Sequence, residues 1–316
     1  MSAARAVPLA DVQRLVRAKG AEGLDELGAG AFLIEIPTQS LSNFYGEGPT
    51  TREGTVEYNA DLLLDLSRSP AGQVQVWPIE ANSSVGRSSR NAVAFKDDDS
   101  LSKEHARFIR TGSGWSVEDL GSTNGTYVET TRVGTGKSEA LQSPSGVQLG
   151  GRRFTFMLAD DVAALFSPVA STDPIPATQL HSELATLGSR RFLLRYPDSY
   201  LLLSYKSKGG GLGGDFKPDS AFPVIGEKPL TIGRTSQADL TIRSKAVSKW
   251  HAKLTPQSGG WAIEDTGSSN GTMVNGRPLD PHTPHQLSTW DSLTIGNGVF
   301  GLFLDSRSLI EHLMDS

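Results

Sequence analysis

Two sets of side chains, at matching spacings, could carry chemistry in this chain. The first is Arg87, Ser102, His105, Asp119 and Asn124; the second is Arg234, Ser248, His251, Asp265 and Asn270. Ser, His and Asp are the parts of a nucleophilic triad, yet the spacing Ser-x-x-His in a loop fixes no general-base geometry by itself. Arg suits planar, bidentate contact with a phosphate, and a Ser hydroxyl adds a donor. Asn carries both a donor and an acceptor, so it can hold an extended peptide backbone in register. The bland alternative is that these residues only tie loops together. Residue types leave catalysis, phosphate recognition and loop bracing open, and repetition of the whole set in two diverged copies favours recognition.

The elements that must position these residues are repeated as well. Trp261-Ala-Ile-Glu-Asp-Thr-Gly-Ser-Ser-Asn-Gly-Thr-Met-Val-Asn275 matches Trp115-Ser-Val-Glu-Asp-Leu-Gly-Ser-Thr-Asn-Gly-Thr-Tyr-Val-Glu129 at an offset of 146. Each copy reads as a strand, a tight turn in which Asn and Gly supply positive-φ positions, and a second strand. Upstream, Ser102-Lys-Glu-His105 matches Ser248-Lys-Trp-His251 at the same offset, and Val85-Gly-Arg87 matches Ile232-Gly-Arg234 at 147. Copy one therefore carries one extra residue, placed most simply within Asp97-Asp98-Asp99. Repeats this close mark duplicated modules.

The ordered set Gly-Arg, Ser-x-x-His and Asp-x-Gly-Ser-x-Asn-Gly-Thr resembles the forkhead-associated (FHA) domain, over roughly residues 74–158 and 220–304. That resemblance implies a mainly β protein: two eleven-stranded FHA-type β-sandwiches that bind phosphothreonine peptides through loops at one apex, without catalysis. Carried over by position, Arg87 and Arg234 would grip the phosphate, and Ser102 and Ser248 would donate to it. Lys103 and Lys249 stand where the family often has Arg or Asn, and a lysine there can still meet a phosphate oxygen. Thr123 and Ser269 would contact the phosphoresidue, and Asn124 and Asn270 the peptide backbone. By the same resemblance His105 and His251 are structural, and Gly86, Gly125, Gly233 and Gly271 shape the loops. Copy two has the family's usual aspartate in Ala238-Asp239-Leu240, where copy one has Asn91-Ala92-Val93. Copy one also shows Glu129-Thr130 where copy two has the usual Asn275-Gly276.

Other patterns imitate different chemistry. Gly209-x-Gly211-x-x-Gly214 fits a dinucleotide fingerprint, but Asp215-Phe-Lys-Pro218 follows where a helix should open. Gly134-Thr-Gly-Lys-Ser138 has the end of a phosphate loop, with Thr131 where its first glycine belongs. Gly267-Ser-Ser269-Asn-Gly271 matches a hydrolase elbow, which needs a helix after it, and a strand-like run follows instead. His282-x-x-His285 sits among prolines without partner ligands, so it reads as a loop and not a metal site.

Composition sets the remaining bounds. The chain has 316 residues, no cysteine and a formal net charge of −5. Disulfides, thiolate catalysis and cysteine metal sites are excluded, and a general nucleic-acid binder is disfavoured. No segment approaches the apolar length of a membrane span, so a cytoplasmic location is expected. Neither a cofactor nor a metal is expected.

Residues 9–19 place Leu9, Val12, Leu15 and Val16 on one helical face before Gly20. Leu24-x-x-Leu27-Gly28-x-x-x-Phe32 recurs as Leu184-x-x-Leu187-Gly188-x-x-x-Phe192 at an offset of 160, which predicts in each copy a helix ending at glycine and then a strand stopped by Pro37 or Pro197. Pro197-Asp198-Ser199 then turns into Tyr200–Tyr205 as a hairpin. On that register copy one is longer by 13 residues, 160 less 147, within the polar segment 38–73, whose one strand-like run is Asp61–Leu66. Ser167–Thr178 reads as a proline-bearing linker, Gly209–Gly214 as a loop, and Ser308–Met314 as a helix with Leu309, Ile310 and Leu313 inward. The expected organisation is a helix/strand module with a polar connector (1–73), the first FHA domain (74–158), a linker and second module (159–219), the second FHA domain (220–304) and a closing helix (305–316).

The expected function is a phosphothreonine-binding adaptor whose partner is a threonine-phosphorylated protein, either a Ser/Thr kinase or its substrate. The alternative is a structural assembly protein that keeps the fold without binding phosphate, and the intact Arg, Ser and Asn of both copies argue against it.

Overall fold

The computed structural model describes residues 5–36, 74–112, 114–167, 171–204, 218–226, 228–258 and 260–316. The expected strand Asp61–Leu66 and loop Gly209–Gly214 lie outside them. The chain divides into two compact units, Met1–Pro168 and Val169–Ser316.

The first unit opens with β1 (Val7–Pro8), α1 (Leu9–Lys19), α2 (Glu22–Asp25) and β2 (Ala31–Glu35). Then come β3 (Gln75–Ile79), β4 (Ser83–Gly86), β5 (Val93–Ala94), β6 (Ala106–Thr111), β7 (Gly114–Asp119) and β8 (Thr126–Val128). It closes with β9 (Thr131–Arg132), β10 (Ser138–Leu141), β11 (Ser145–Leu149), β12 (Arg152–Leu158) and α3 (Ala159–Phe166). The strands form two sheets, β1-β3-β2-β12-β11-β8-β9 and β10-β7-β6-β4-β5.

The second unit repeats the plan with β13 (Ile175–Pro176), α4 (Ala177–Arg195), β14 (Ser199–Ser204), β15 (Ser220–Val224), β16 (Leu230–Gly233), β17 (Leu240–Thr241) and β18 (Ala252–Gln257). It continues through β19 (Gly260–Asp265), β20 (Thr272–Val274), β21 (Arg277–Pro278), β22 (His285–Gln286), β23 (Asp291–Ile295), β24 (Val299–Leu304) and α5 (Ser306–Asp315). Its sheets run β13-β15-β14-β24-β23-β20-β21 and β17-β16-β18-β19-β22, the same order strand for strand.

Alternation explains how each sandwich fills. In β7 the residues Trp115, Val117 and Asp119 are buried while those between are not, as a period of two requires. Val85, Phe108 and Val117 of one sheet meet Leu33, Val147 and Phe156 of the other, and the rings of Phe108 and Phe156 stack at 6.4 Å. In β14, Leu201 and Leu203 enter the sandwich core, and Tyr200 and Leu202 enter a second core with Leu180, Phe192, Leu309 and Leu313 of the helices. A strand buried on both faces explains the unbroken apolar run of Tyr200–Leu203. Each fully buried Leu or Phe contributes roughly 1.5–3 kcal/mol of transfer free energy. The helix-plus-strand segments precede the sandwiches in sequence, and their strands are built into the sandwiches' own sheets, β2 between β3 and β12, and β14 between β15 and β24.

Helices over 9–19 and at the C-terminus form as expected, the latter with Leu309, Ile310 and Leu313 buried. Four local expectations are corrected. Phe192–Arg195 is helical and not a strand, so no hairpin forms at Pro197, and the strand is Ser199–Ser204. The repeat register of the upstream segment is therefore 168 and not 160: Val7-Pro8 pairs with its sheet as Ile175-Pro176 does, and Gly20 (φ 64°) breaks the first helix as Gly188 (φ 71°) interrupts the second. The expected linker already contains β13 and the first residues of α4. Finally, the Asn-Gly turn takes positive φ at glycine only, and the strands it joins, β7 and β8, belong to opposite sheets. The Asn-Gly loop crosses between them, Gly125 (φ 86°) and Gly271 (φ 73°) take the left-handed backbone, and neither Asn124 nor Asn270 does.

Candidate functional site

Each site begins where β4 or β16 ends in glycine. A Cβ on Gly86 would lie 2.6 Å from the Lys103 carbonyl oxygen, and one on Gly233 would lie 2.0 Å from that of Lys249. Neither glycine has a positive φ, so close backbone approach is what demands it. The approach lets Arg87 N donate to Ser102 O at 3.0 Å, Ser88 N to Lys103 O at 3.1 Å, and Arg234 N to Ser248 O at 3.0 Å. The arginine and serine loops are thereby fastened together, with the Arg87, Arg234, Lys103 and Lys249 side chains exposed. Arg87 Nη1 stands 3.7 Å from Asp99 Oδ1.

The serine hydroxyls face the Asn-Gly loops. Ser102 Oγ accepts from Thr123 N at 3.0 Å and lies 3.4 Å from Thr123 Oγ1, and Ser248 Oγ accepts from Ser269 N at 3.1 Å. A hydroxyl that accepts from the backbone keeps its own proton to donate. Asn124 Nδ2 donates to Ser100 O and Asn270 Nδ2 to Ala246 O, both at 2.9 Å. In the second site Asn297 Nδ2 also donates to Asn270 Oδ1 at 3.3 Å. Arg, Ser, Thr or Ser, and Asn are thus joined through hydrogen bonds into one exposed cluster in each unit. The equivalence of Ser100 and Ala246, together with Phe95 N to Gly86 O and Ile242 N to Gly233 O, confines the extra residue of copy one to 96–99.

Behind each cluster lies a buried histidine. His105 Nδ1 accepts from Ser102 N at 3.2 Å and its Nε2 meets Gly125 O at 3.0 Å; His251 does the same with Ser248 N and Gly271 O, both at 3.0 Å. A nitrogen that accepts an N–H is unprotonated, so each ring is neutral with its proton on Nε2. Burial pushes both pKa values below the ordinary histidine value, against the pull of the glycine carbonyl and the nearby aspartate. With both nitrogens committed to backbone groups, neither ring is aimed at a serine hydroxyl, and the paper triad does not assemble.

Asp265 is also buried, and it organises the loop before Ser269. Its Oδ1 accepts from Gly267 N and Ser268 N, and its Oδ2 from Ser268 Oγ and Thr272 Oγ1. Asp119 holds Gly121 N, Ser122 N and Ser122 Oγ in the same way. Burial by itself would raise each carboxyl, and the hydrogen bonds outweigh it, so both sit below the ordinary aspartate value. The repeated Asp-x-Gly-Ser was the sequence signal for this clamp.

Copy one's departures keep the geometry by other means. Glu129 takes the same left-handed backbone as Asn275 (φ 52° and 51°), and its Oε1 accepts from Gly146 N as Asn275 Oδ1 accepts from Ser292 N. Where copy two has Asp239 holding Thr231, copy one has Ala92, whose N donates to Ser84 Oγ at 3.4 Å; the preceding Asn91 makes a separate tie, its Nδ2 donating to Ser88 O and Lys103 O. Sequence reasoning missed Asp99, Ser100 and Asn297, because nothing local links them to residues so far along the chain. Gly134–Ser138 is loop and strand, with Gly136 at φ 66°, and Gly267-Ser-Ser269 leads into β20, not a helix. His282 lies 3.8 Å from Glu264, and His285 begins β22. Among the described residues no helix is long and apolar enough to cross a membrane.

Known proteins share sequence with the two motif-bearing segments. The sequence model of the FHA domain matches residues 83–150 and 230–296. The oxoglutarate dehydrogenase inhibitor of Corynebacterium jeikeium is 32% identical over 109 residues, which span 34% of this chain and 72% of that protein. An FHA domain-containing protein of Arabidopsis thaliana is 34% identical over 83 residues, 26% of this chain and only 19% of that protein. A solved domain described under phosphothreonine-dependent FHA interactions is 22% identical, covering 34% of this chain and 94% of that one, with a TM-score of 0.27. The motif residues, the two sandwiches that hold them and the matched spans give one conclusion: the chain belongs to the FHA domain family and carries that domain twice.

Proposed function

We propose that the chain is a phosphothreonine-peptide-binding adaptor with two sites, acting in Ser/Thr kinase signalling. The observation that carries this reading is the exposed cluster in each unit, where Arg, Ser, Thr or Ser, and Asn are hydrogen-bonded together on a rigid sandwich. Arg87 and Arg234 supply the charge and the fork that a dianionic phosphate favours. Ser102 and Ser248 offer a hydroxyl proton, and Lys103 and Lys249 a further cation. Thr123 and Ser269 flank the phosphoresidue. Asn124 and Asn270, tethered by their amide nitrogens, present the carbonyl oxygen to a peptide N–H. Binding and not catalysis is the role, since each histidine is neutral and bound to the backbone. The partner is a threonine-phosphorylated protein, either a Ser/Thr kinase or its substrate.

The test is calorimetric titration of the full chain with a phosphothreonine peptide and its unphosphorylated twin. Arg87→Ala and Arg234→Ala should each remove one site at a cost of roughly 2–5 kcal/mol, as truncating one member of a charge pair does, and leave melting unchanged. Both variants binding like the parent, or the unphosphorylated peptide binding equally, overturns the reading.

A further inference from the structure

The two sites differ most in the loop that leads from the arginine strand pair to the serine. In the first copy it reads Lys96-Asp97-Asp98-Asp99, in the second Arg243-Ser244-Lys245. One lysine against three aspartates makes the first loop formally −2, and one arginine with one lysine makes the second +2. Each loop runs directly into the carbonyl that tethers the site asparagine, Ser100 O or Ala246 O, so each borders its site. Lys96, Asp97, Asp99, Arg243 and Lys245 are all exposed. Asp98 is engaged by Arg152 Nε at 2.6 Å, but Asp99 stands beside Arg87 itself at 3.7 Å with its own side chain fully exposed. Beyond Lys103 and Lys249 the contrast continues, with exposed Glu104 in the first copy and Trp250, 48% exposed, in the second.

We propose that the two sites select opposite charge around the phosphothreonine: the second takes peptides with acidic flanking residues, and the first disfavours these and takes basic flanks. The inference rests on the phosphothreonine reading above. Charges on a peptide lying across these loops fall within the Debye length of about 10 Å at 0.1 M salt, so the loop's sign acts on them. In the first site Asp99 also competes with phosphate for Arg87, and a basic flank that draws Asp97 and Asp99 relieves that competition. In the second, Arg243 and Lys245 add attraction for any anion beside the phosphate. Such pairs govern specificity more than total affinity.

The experiment uses the full chain with Arg234→Ala, leaving the first site, or Arg87→Ala, leaving the second. Three labelled peptides share one phosphothreonine core and carry Asp/Glu, Ser/Gly or Lys/Arg flanks, and anisotropy is read at 50 and 500 mM NaCl. The Arg87→Ala chain should bind the acidic peptide about tenfold tighter than the basic one at low salt, the Arg234→Ala chain should show the reverse, and both ratios should approach one at high salt. Adding Asp97→Ser and Asp99→Ser should abolish the basic preference of the first site, and Arg243→Ser with Lys245→Ser the acidic preference of the second. The same rank order at both sites, or ratios that ignore salt and these loop changes, overturns the inference while phosphopeptide binding stands. No binding of any phosphopeptide at either site overturns the phosphothreonine reading together with it.

Discussion

Replacing His251 by alanine separates a loop brace from a ligand contact. The ring is fully buried, and its two nitrogens satisfy Ser248 N and Gly271 O at 3.0 Å each. Alanine leaves the Ser248 N–H unpaired inside the protein, at about 1–3 kcal/mol, removes one of the two donors to Gly271 O, which keeps Gly296 N at 2.9 Å, and opens a void where the ring was. A total of about 3–5 kcal/mol follows, because the losses overlap. For a unit of this size each kcal/mol lowers the melting temperature by about 2–4 °C, so the transition of the second unit should fall by roughly 6–20 °C. Since Ser248 and Gly271 both line the site, phosphopeptide affinity there should fall at least tenfold, by the same loosening. The sign with pH is fixed as well. Burial holds the folded pKa of His251 below its ordinary value, while the unfolded chain takes up a proton below about pH 6.5. The stability that native His251 contributes is therefore complete above pH 6.5 and declines as pH falls toward the depressed value. The stability gap between parent and variant should narrow between pH 7 and pH 5, measured by urea unfolding. An unchanged melting temperature with binding abolished would refute the reasoning and put the ring in the phosphate site.

Three further outcomes test other parts of the account. Gly233→Ala puts a Cβ 2.0 Å from the Lys249 carbonyl oxygen, so denaturant melts should show a loss of about 1–3 kcal/mol, whereas Gly112→Ala, which meets nothing within 4 Å, should change stability by under about 0.5 kcal/mol. Phosphothreonine should outcompete phosphoserine in matched peptides by about fourfold or more, since burying one methyl is worth about 0.8 kcal/mol; equal affinities would count against a pocket for that methyl. A partner carrying two phosphothreonines should bind the parent up to about 10²–10⁴ tighter than either single peptide, an advantage that Arg87→Ala or Arg234→Ala abolishes in calorimetry.

The sequence made the site easier to read than the fold around it. Gly-Arg, Ser-x-x-His and Asp-x-Gly-Ser-x-Asn-Gly are short spans that recur in both copies, so repetition marked them, and the roles of their residues came from the family resemblance. The upstream repeat was harder, because leucines recur every three or four residues along any amphipathic helix, and such patterns match equally well after sliding by whole turns. Gly20 and Gly188 were the better markers, since a left-handed backbone at a helix end is a demand that sliding cannot meet. The Asn-Gly loop misled for a related reason. Asn and Gly both suit positive φ, but Asn124 and Asn270 are spent on tethering Ser100 O and Ala246 O, contacts 24 residues away that local propensity cannot register. Glu129 shows the reverse case, a residue foreign to the turn that meets its backbone demand through a hydrogen bond to Gly146.

The place of β2 and β14 in their sheets also sets an order of events during synthesis. β2 emerges early, yet its neighbour β12 is the last strand of its sandwich, so that Leu33 waits for Phe156, and Leu202 likewise waits for Leu302. Pairings between such distant parts of a chain close slowly, because the loop between them must be ordered first. On the ribosome neither sandwich can complete its sheet until its final strand has cleared the exit tunnel. Until then the apolar runs Ala31–Ile34 and Tyr200–Leu203 can pair on one side only, with β3 and β15, and the nascent chain passes through two separate intervals in which a chaperone has an open hydrophobic strand edge to hold.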